Sequence, residues 1–236
     1  QAQSSRIVMN THAINAGQFP NIKNGLDTDF FFINQEDADE IVKLIIGLVR
    51  DRLPKRYGYQ PKEIQVLTPM QRGTVGAGNL NIELQNALNP MGPSLARGGY
   101  SFRQGDKVMQ IRNNYDKSVF NGDIGYITAV DTNERTLTVT FDSRLVEYDI
   151  TELDEIVLAY AITIHKSQGS EFPVVVMPVT MKHSVMLQRN LIYTGITRAK
   201  KICVLVGTTK ALAYAIHNQT VSKRNTKLKE RLNEKT

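Results

Sequence analysis

The chain has 236 residues, of which 41% are hydrophobic, and its formal net charge at neutral pH is +6. This length suffices for one large domain, with or without a small inserted one. No apolar run approaches the roughly 20 residues of a membrane-spanning helix, so we expect no membrane partner. The positive charge fits a polyanionic partner, but it fits an ordinary solvated surface equally well.

The chain has one cysteine, Cys203, which lies inside the apolar run 202–206. A lone buried thiol excludes an internal disulfide framework and is typical of a reducing compartment, so we expect a cytoplasmic protein. Cysteine and histidine do not cluster as they do around zinc, and we expect no metal ligands in the chain.

The first half of the chain alternates apolar runs with helical patterns. Residues 7–10 predict a short strand, and the polar stretch after them predicts a loop. Compact apolar runs at 30–33 and 64–68 predict buried strands. Between these runs, acidic residues around Asp37 predict a helix start, and we expect that helix to end at Pro54. This order of elements predicts a parallel α/β sheet.

From residue 105 to about 149 the pattern changes to short alternating strands separated by turn signals. The predicted strands are at 107–111, 124–127, 137–141 and 145–148. We interpret this segment as a small all-β insertion, an SH3-like barrel. The α/β pattern then returns, with strands predicted at 174–176 and 202–206 and a helix at 187–197. The tail from Val221 is basic and predicts a short helix. The predicted domains are an α/β domain at 1–104 and 155–220, the barrel at 105–154, and the tail at 221–236.

Three segments carry polar groups at predicted strand ends, and each has a simpler interpretation. In residues 66–76, Arg72 lies in a glycine-rich loop that could approach a phosphate, although it could also be an ordinary exposed arginine. In residues 158–172, polar groups crowd around His165 and could bind backbone phosphates; a capped helix start is the alternative. Arg198 ends a predicted helix just before a strand, which suits either an arginine finger or a helix C-terminal cation.

In this order, the three segments resemble motifs IV, V and VI of superfamily 1 helicases. Two of these motifs resemble those of the RecD-like branch, which includes the exodeoxyribonuclease V alpha subunit. They have the sequences HKSQGSE at 165–171 and YTGITRAK at 193–200. GDKVMQ at 105–110 and FNGDIG at 120–125 resemble the segments around the barrel of that family's second motor domain. The resemblance covers residues 4–206. It implies a RecA-like parallel sheet of the P-loop type that lacks its own P-loop and carries an inserted SH3-like barrel.

In that family two RecA-like domains clasp ATP, and the resemblance implies that this chain supplies the second. Arg72 and Arg198 would then reach the γ-phosphate as catalytic arginine fingers, an effect typically worth about 10³–10⁵ in turnover. Gly169 and Glu171 would lie near the nucleotide, with Glu171 accepting from the ribose. ATP and Mg²⁺ are implied as cofactors of the longer enzyme, held together with the N-terminal RecA-like domain of the same protein.

The same resemblance implies a grip on single-stranded DNA. Thr163, His165 and Ser167 would contact the sugar-phosphate backbone, with Lys166 as a further DNA-binding residue. A role as an ATP-dependent DNA helicase in repair and recombination, moving 5′ to 3′, comes with the family.

The chain departs from the family pattern because it lacks the loop that cradles phosphates. Neither G-x-x-x-x-G-K-[ST] nor any Gly-Lys pair occurs in it. The Asp-Glu pairs at 39–40 and 154–155 do not end buried strands, and we expect both to be solvated. We therefore expect the phosphate-binding half to precede residue 1, and the chain alone to hydrolyse no ATP.

Two other interpretations stay open. One is a non-motor module that holds nucleic acid or protein through the barrel and the basic tail. Within a helicase, the barrel could contact DNA through Lys107, Arg112, Tyr115 and Lys117, and a purely structural insertion fits the sequence equally well. The other is the helicase part of a conjugative relaxase, or of a complex with RecB- and RecC-type subunits. The sequence upstream of Gln1 would decide between a relaxase and a RecBCD-type subunit.

Overall fold

The structure is a computed structural model that describes residues 5–25 and 27–219. In chain order its elements are α1 (Arg6–Asn15), β1 (Phe30–Asn34), α2 (Ala38–Gly47), α3 (Leu53–Tyr57), β2 (Ile64–Thr68), α4 (Ala77–Leu88), β3 (Ser94–Arg97), β4 (Tyr100–Arg103), β5 (Lys107–Gln110), β6 (Ile124–Asp131), β7 (Thr136–Phe141), β8 (Arg144–Asp149), β9 (Ile156–Leu158), β10 (Ala161–Thr163), β11 (Phe172–Val179), α5 (Arg189–Thr197), β12 (Ala199–Gly207) and α6 (Thr209–His217).

Five strands form a parallel sheet in the order β1-β12-β11-β2-β10. The central strands are rich in valine and buried on both faces, as in parallel sheets covered by helices. The open side of β10 is closed by Asn81 of α4, which donates to the carbonyl of Ala161 at 2.8 Å and accepts from its N–H at 2.9 Å. The predicted parallel α/β sheet is confirmed.

Helices cover the two faces of this sheet with separate apolar cores. On one face α1, α5 and α6 bury residues such as Ile14, Ile192 and Leu212. On the other face α2 and α4 bury residues such as Ile41 and Leu80. Cys203 is buried in β12 as expected, and this burial raises the pKa of its thiol.

A second sheet is antiparallel, with the strand order β8-β7-β6-β5-β9. The predicted barrel strands are present, and a β3–β4 hairpin packs on them, because Leu95 and Phe102 share an apolar core with Val139 and Phe141. The hairpin precedes residue 105 and β9 follows residue 154, so the observed β unit is longer at both ends than the predicted segment 105–154.

Asp106 joins this β unit to the parallel sheet. Its fully buried carboxylate accepts hydrogen bonds from Gln85 Nε2 at 2.5 Å, Asn89 Nδ2 at 2.7 Å, the Arg103 N–H at 2.7 Å and the Tyr160 hydroxyl at 2.9 Å. The donors come from α4, β4 and the link between β9 and β10. Hydrogen bonds to a charged acceptor are stronger than neutral ones, so this cluster fixes how the β unit sits on the parallel sheet.

Two predicted local structures are wrong. Residues 7–10 belong to helix α1 rather than to a strand, because buried side chains recur at Ile7, Asn10 and Ile14 with helical spacing, and Ser5 caps the start. The helix after β1 does not end at Pro54; a π-helical turn at Leu48–Arg52 leads into α3. Proline fits the first turn of α3, since the N–H it lacks has no partner there. The predicted tail helix lies outside the described residues.

Candidate nucleotide and DNA interface

Two of the predicted site segments follow neighbouring parallel strands. Thr68, the last residue of β2, is in register with Thr163, the last residue of β10. The loop that carries Arg72 and the segment that carries His165 therefore both start from the carboxyl-terminal edge of the sheet. In parallel α/β sheets, this edge is where ligands commonly bind.

The loop after β2 is compact. The Thr68 hydroxyl donates to the Val75 carbonyl at 2.7 Å, and the Gly76 N–H donates to the Gly73 carbonyl at 2.9 Å. A Cβ atom at Gly76 would lie 2.3 Å from the Arg72 carbonyl oxygen, so only glycine allows this close approach. Arg72 itself is exposed, and within the described part of the chain its side chain has no hydrogen-bond or ion-pair partner.

A small cavity of about 70 Å³ separates this edge of the sheet from the β unit. Gln71 and Thr163 line one side together with Lys166, and Tyr100 of β4 and Val157 of β9 line the other. The structure thus brings together residues from two of the predicted segments, and it adds Gln71 and Tyr100, which sequence reasoning did not identify.

The segment after β10 continues as a turn of 3₁₀ helix, Ile164–Ser167. His165 and Lys166 are exposed on this turn. Ser167 is fully buried, and its hydroxyl donates to the Ile164 carbonyl at 2.7 Å. That hydroxyl shapes the turn, whereas the side chains of His165 and Lys166 face solvent.

Gly169 and Glu171 lie at the opposite edge of the sheet, immediately before β11. Gly169 has φ +86°, a left-handed conformation that favours glycine, and a Cβ there would meet no atom within 4 Å. Glu171 pairs with Lys200, with 2.9 Å between Oε2 and Nζ, although both side chains are 55% exposed. Lys200, and more weakly Arg198, hold the pKa of the Glu171 carboxyl below its usual range.

Arg198 caps the end of α5 next to Glu171 and is half-buried. Its guanidinium donates to the Thr194 carbonyl at 3.2 Å, to the Ser170 carbonyl at 3.1 Å and to the Thr197 hydroxyl at 3.2 Å. Its own carbonyl accepts from the Phe172 N–H at 2.8 Å. These contacts fix the arginine at the point where β11 and β12 both begin.

The structure therefore does not bring Arg72 and Arg198 together. Val66 of β2 is level with Val176 and Val204, so the end of β2 is level with Val206. Arg198 lies eight residues before Val206, which at roughly 3.3 Å per residue places the two edges roughly 26 Å apart along the strands. The role of both arginines as fingers on one γ-phosphate stays a prediction.

The two Asp-Glu pairs differ in their surroundings. Asp39 and Glu40 are exposed in the first turn of α2, as expected. Glu155 is half-buried and accepts from Gln110 Nε2 at 3.0 Å and from Asn114 Nδ2 at 3.1 Å, so it is not simply solvated. Across the described residues, no group of three or more histidine, cysteine or acidic side chains is arranged to hold a metal ion.

Comparisons with known proteins agree with this architecture. A family model described as the SH3 domain of ATP-dependent RecD-like DNA helicases matches residues 80–141. A model described as the UvrD-like helicase C-terminal domain matches residues 158–206. Two Pif1 helicase structures show the same fold. That of Bacteroides has a TM-score of 0.52 at 16% identity, covering 86% of this chain and 48% of that one. That of Candida albicans has a TM-score of 0.53 at 14% identity, covering 98% and 58%.

Curated relatives carry the RecD name. The ATP-dependent RecD2 DNA helicase of Deinococcus radiodurans is 40% identical over 174 residues, which are 73% of this chain and 24% of that protein. The RecBCD enzyme subunit RecD of Haemophilus influenzae is 34% identical over 166 residues, which are 70% of this chain and 24% of that subunit. The chain thus spans about a quarter of the length of these relatives.

Fold and motifs define a RecA-like helicase domain with an inserted SH3-like barrel. More narrowly, the chain belongs to the RecD-like family of superfamily 1 DNA helicases and corresponds to their C-terminal helicase region. Among the described residues, no helix is both long and apolar enough to cross a membrane.

Proposed function

We propose that this chain works as the second motor domain of an ATP-dependent DNA helicase, with ATP at the amino-terminal edge of its sheet and single-stranded DNA at the carboxyl-terminal edge. The observation that carries the proposal is the fixed position of Arg198 beside Glu171, where β11 and β12 begin. A guanidinium held by three protein oxygens is preorganised, so it stabilises developing phosphate charge without further reorganisation.

The amino-terminal edge suits a nucleotide in its chemistry. Arg198 supplies positive charge for a transferring phosphoryl group, and Glu171 is an exposed carboxylate that can accept from a ribose hydroxyl. The unobstructed backbone of Gly169 leaves room for close approach. The phosphate-binding loop and the Mg²⁺ ligands would come from an N-terminal RecA-like domain of the same protein, and Mg²⁺ would neutralise charge on the β- and γ-phosphates.

The carboxyl-terminal edge suits a DNA backbone. Thr163 offers a hydroxyl, and the exposed His165 and Lys166 offer an imidazole and an ammonium group. Such groups bind phosphate and sugar oxygens without reading base sequence, as a translocating enzyme requires. Ser167 would not contact DNA directly, but it would stabilise the turn that carries His165 and Lys166 through its hydrogen bond to the Ile164 carbonyl.

One short segment connects these two edges. Only seven residues lie between Thr163 and Glu171, and they pass along the sheet through a 3₁₀ turn and the left-handed Gly169. A shift of either end is therefore transmitted to the other through a few bonded residues. We propose that this segment couples the state of the bound nucleotide to the affinity for DNA. We also propose that the enzyme is cytoplasmic and moves 5′ to 3′ along DNA, as the family does.

The experiment that tests the proposal replaces Arg198 in the full-length enzyme. We expect Arg198→Ala to lower DNA-stimulated ATP turnover by about 10³-fold or more, with an oligothymidylate dissociation constant within twofold of wild type. Arg198→Lys keeps the charge but loses the planar fork, and it should recover only part of the turnover. Arg135→Ala, which removes an exposed arginine from the β unit, is the matched control. Wild-type turnover in Arg198→Ala would favour the non-motor module.

A further inference from the structure

The loop arginine of the first motif lies on the side of the molecule that faces DNA. We propose that Arg72, together with Lys166, binds a phosphate of single-stranded DNA that lies in the groove between the sheet edge and the β3–β4 hairpin. This inference rests on the proposed function and assigns Arg72 to the polynucleotide instead of the nucleotide.

The first argument is position. Arg72 follows β2 at the carboxyl-terminal edge, whereas Glu171 and Arg198 precede β11 and β12 at the other edge. The loop turns directly into α4, because the Ala77 N–H donates to the Met70 carbonyl at 2.9 Å. This bond closes the loop at its base, next to the edge where β2 ends, and that edge lies roughly 26 Å along the strands from the level of Arg198.

The second argument is the state of the cations. Arg72 and Lys166 are both exposed, and no acidic side chain among the described residues forms an ion pair with either. At the opposite edge, in contrast, Lys200 is paired with Glu171 and Arg198 is bound to protein oxygens. Because no side chain of the described residues neutralises Arg72 or Lys166, their charges are available to bind the phosphates of a polyanion such as DNA.

The third argument is the groove. Gln71 precedes Arg72 and lines the same cavity as Lys166 and Thr163, with Tyr100 on the opposite wall. The groove thus presents an amide, a hydroxyl and a cation on the sheet side and an aromatic ring on the hairpin side. Single-stranded DNA matches these groups, because its phosphates can bind the polar side and one of its bases can stack on the aromatic ring. A compact triphosphate does not match them.

The fourth argument is rigidity. Arg72 is carried by a loop that closes on itself through Thr68, Gly73 and Gly76. Tyr100 is carried by a hairpin that the Asp106 cluster fixes to α4. Both walls are therefore held in place before DNA arrives, so less ordering of the protein opposes binding.

The test compares Arg72→Ala with Arg198→Ala in the full-length enzyme. Affinity for a fluorescent oligothymidylate is measured at several salt concentrations, and the turnover number and KM for ATP are measured at saturating oligothymidylate. We expect Arg72→Ala to weaken oligothymidylate binding about tenfold and to lower the slope of log affinity against log salt by about 0.7. Its turnover number for ATP at saturating oligothymidylate should stay far above that of Arg198→Ala.

Two further variants sharpen the test. Arg72→Lys keeps the charge, so it should keep the salt slope and lose less affinity than Arg72→Ala. Arg56→Ala removes an equally exposed arginine from α3, away from the groove, and should leave binding unchanged.

The assignment is overturned if Arg72→Ala lowers ATP turnover as strongly as Arg198→Ala while DNA affinity and its salt slope stay at wild type. It is also overturned if Arg56→Ala weakens binding as much as Arg72→Ala, since the effect would then reflect net charge. Failure of the proposed function would be seen separately, as undiminished turnover in Arg198→Ala.

Discussion

Glu171 and Lys200 form an ion pair across the first residues of two neighbouring parallel strands, with 2.9 Å between the carboxylate oxygen and Nζ. Lys200, with a smaller contribution from Arg198, holds the pKa of the Glu171 carboxyl below its usual range. A carboxylate that is both ionised and exposed can accept hydrogen bonds from a bound ribose.

This relationship predicts the behaviour of Glu171→Gln in the full-length enzyme. A neutral amide oxygen is a weaker hydrogen-bond acceptor than a carboxylate, so we expect the KM for ATP to rise severalfold. The turnover number should change little, as when an interaction contributes equally to binding of the substrate and of the transition state. Stability should not change measurably, because exposed ion pairs contribute little. The measurement is steady-state ATPase kinetics at saturating DNA.

Lys200→Gln is the matched control for that variant. It removes the same ion pair but keeps the Glu171 carboxylate, so the KM for ATP should not rise. If both variants raise the KM equally, the ion pair matters rather than an acceptor for the ribose, and the role given to Glu171 is wrong.

The Asp106 cluster makes a second prediction, which concerns stability. Asp106→Ala removes the acceptor of the Tyr160 hydroxyl and one of the two acceptors of each side-chain amide of Gln85 and Asn89. These amides keep only their bonds to the Ser101 and Gln104 carbonyls, so one N–H of each is left unpaired. Each buried unpaired group costs about 1–3 kcal/mol, so we expect the free energy of unfolding to fall by about 3 kcal/mol or more. Urea denaturation measures it. Asp116→Ala, at an exposed aspartate, should change stability by less than about 0.5 kcal/mol, and equal stability of the two variants would contradict the prediction.

The sequence predicted the sheet and the motifs well, because both are local patterns. The apolar runs that became β1, β2, β11 and β12 are buried on both faces, and such strands are recognisable without knowledge of their neighbours. The sequence predicts a strand where helix α1 forms because Ile7, Val8 and Met9 are three consecutive apolar residues, whereas the helical spacing of Ile7, Asn10 and Ile14 includes a polar residue. The β3–β4 hairpin was missed although Gly98-Gly99 is a turn signal between its strands.

The candidate site was harder to predict because its parts are set by topology. Arg72 and Arg198 each stand beside a strand, but only the strand direction and register show that one follows its strand and the other precedes it. The family resemblance implies that Ser167 contacts DNA, whereas its burial depends on the turn, in which its hydroxyl donates to the Ile164 carbonyl. Neither fact is contained in residue spacing.

Lys107 gives a prediction about pH. Its ammonium group is buried where the β unit meets the parallel sheet, donates to the Lys62 carbonyl at 3.3 Å and lies 5.9 Å from the centre of the Phe172 ring. No carboxylate of the described residues forms an ion pair with it. Burial without a counter-charge lowers the pKa of Lys107 to about 7 from an ordinary value of 10.5.

The sign of the effect follows from proton binding. Between pH 7 and 10.5 the unfolded chain holds a proton on Lys107 that the folded chain has largely released, so the free energy of unfolding rises with pH across this window. From pH 7.0 to 9.5 the lysine should add about 3 kcal/mol. Tyr126, which donates to the same Lys62 carbonyl, has its pKa raised by burial to about 12 and stays protonated throughout.

The comparison that isolates this effect is wild type against Lys107→Met, measured by urea denaturation at pH 7.0, 8.0 and 9.5. Methionine keeps a flexible side chain of similar length and removes the ionisable group, so the variant should lack the rise of about 3 kcal/mol, and other titrating groups cancel in the difference. Lys210→Met, at an exposed lysine of α6, should follow the wild-type slope. Parallel pH profiles for wild type and Lys107→Met would show that the folded protein keeps Lys107 charged, hydrated by water that reaches the junction between the β unit and the sheet.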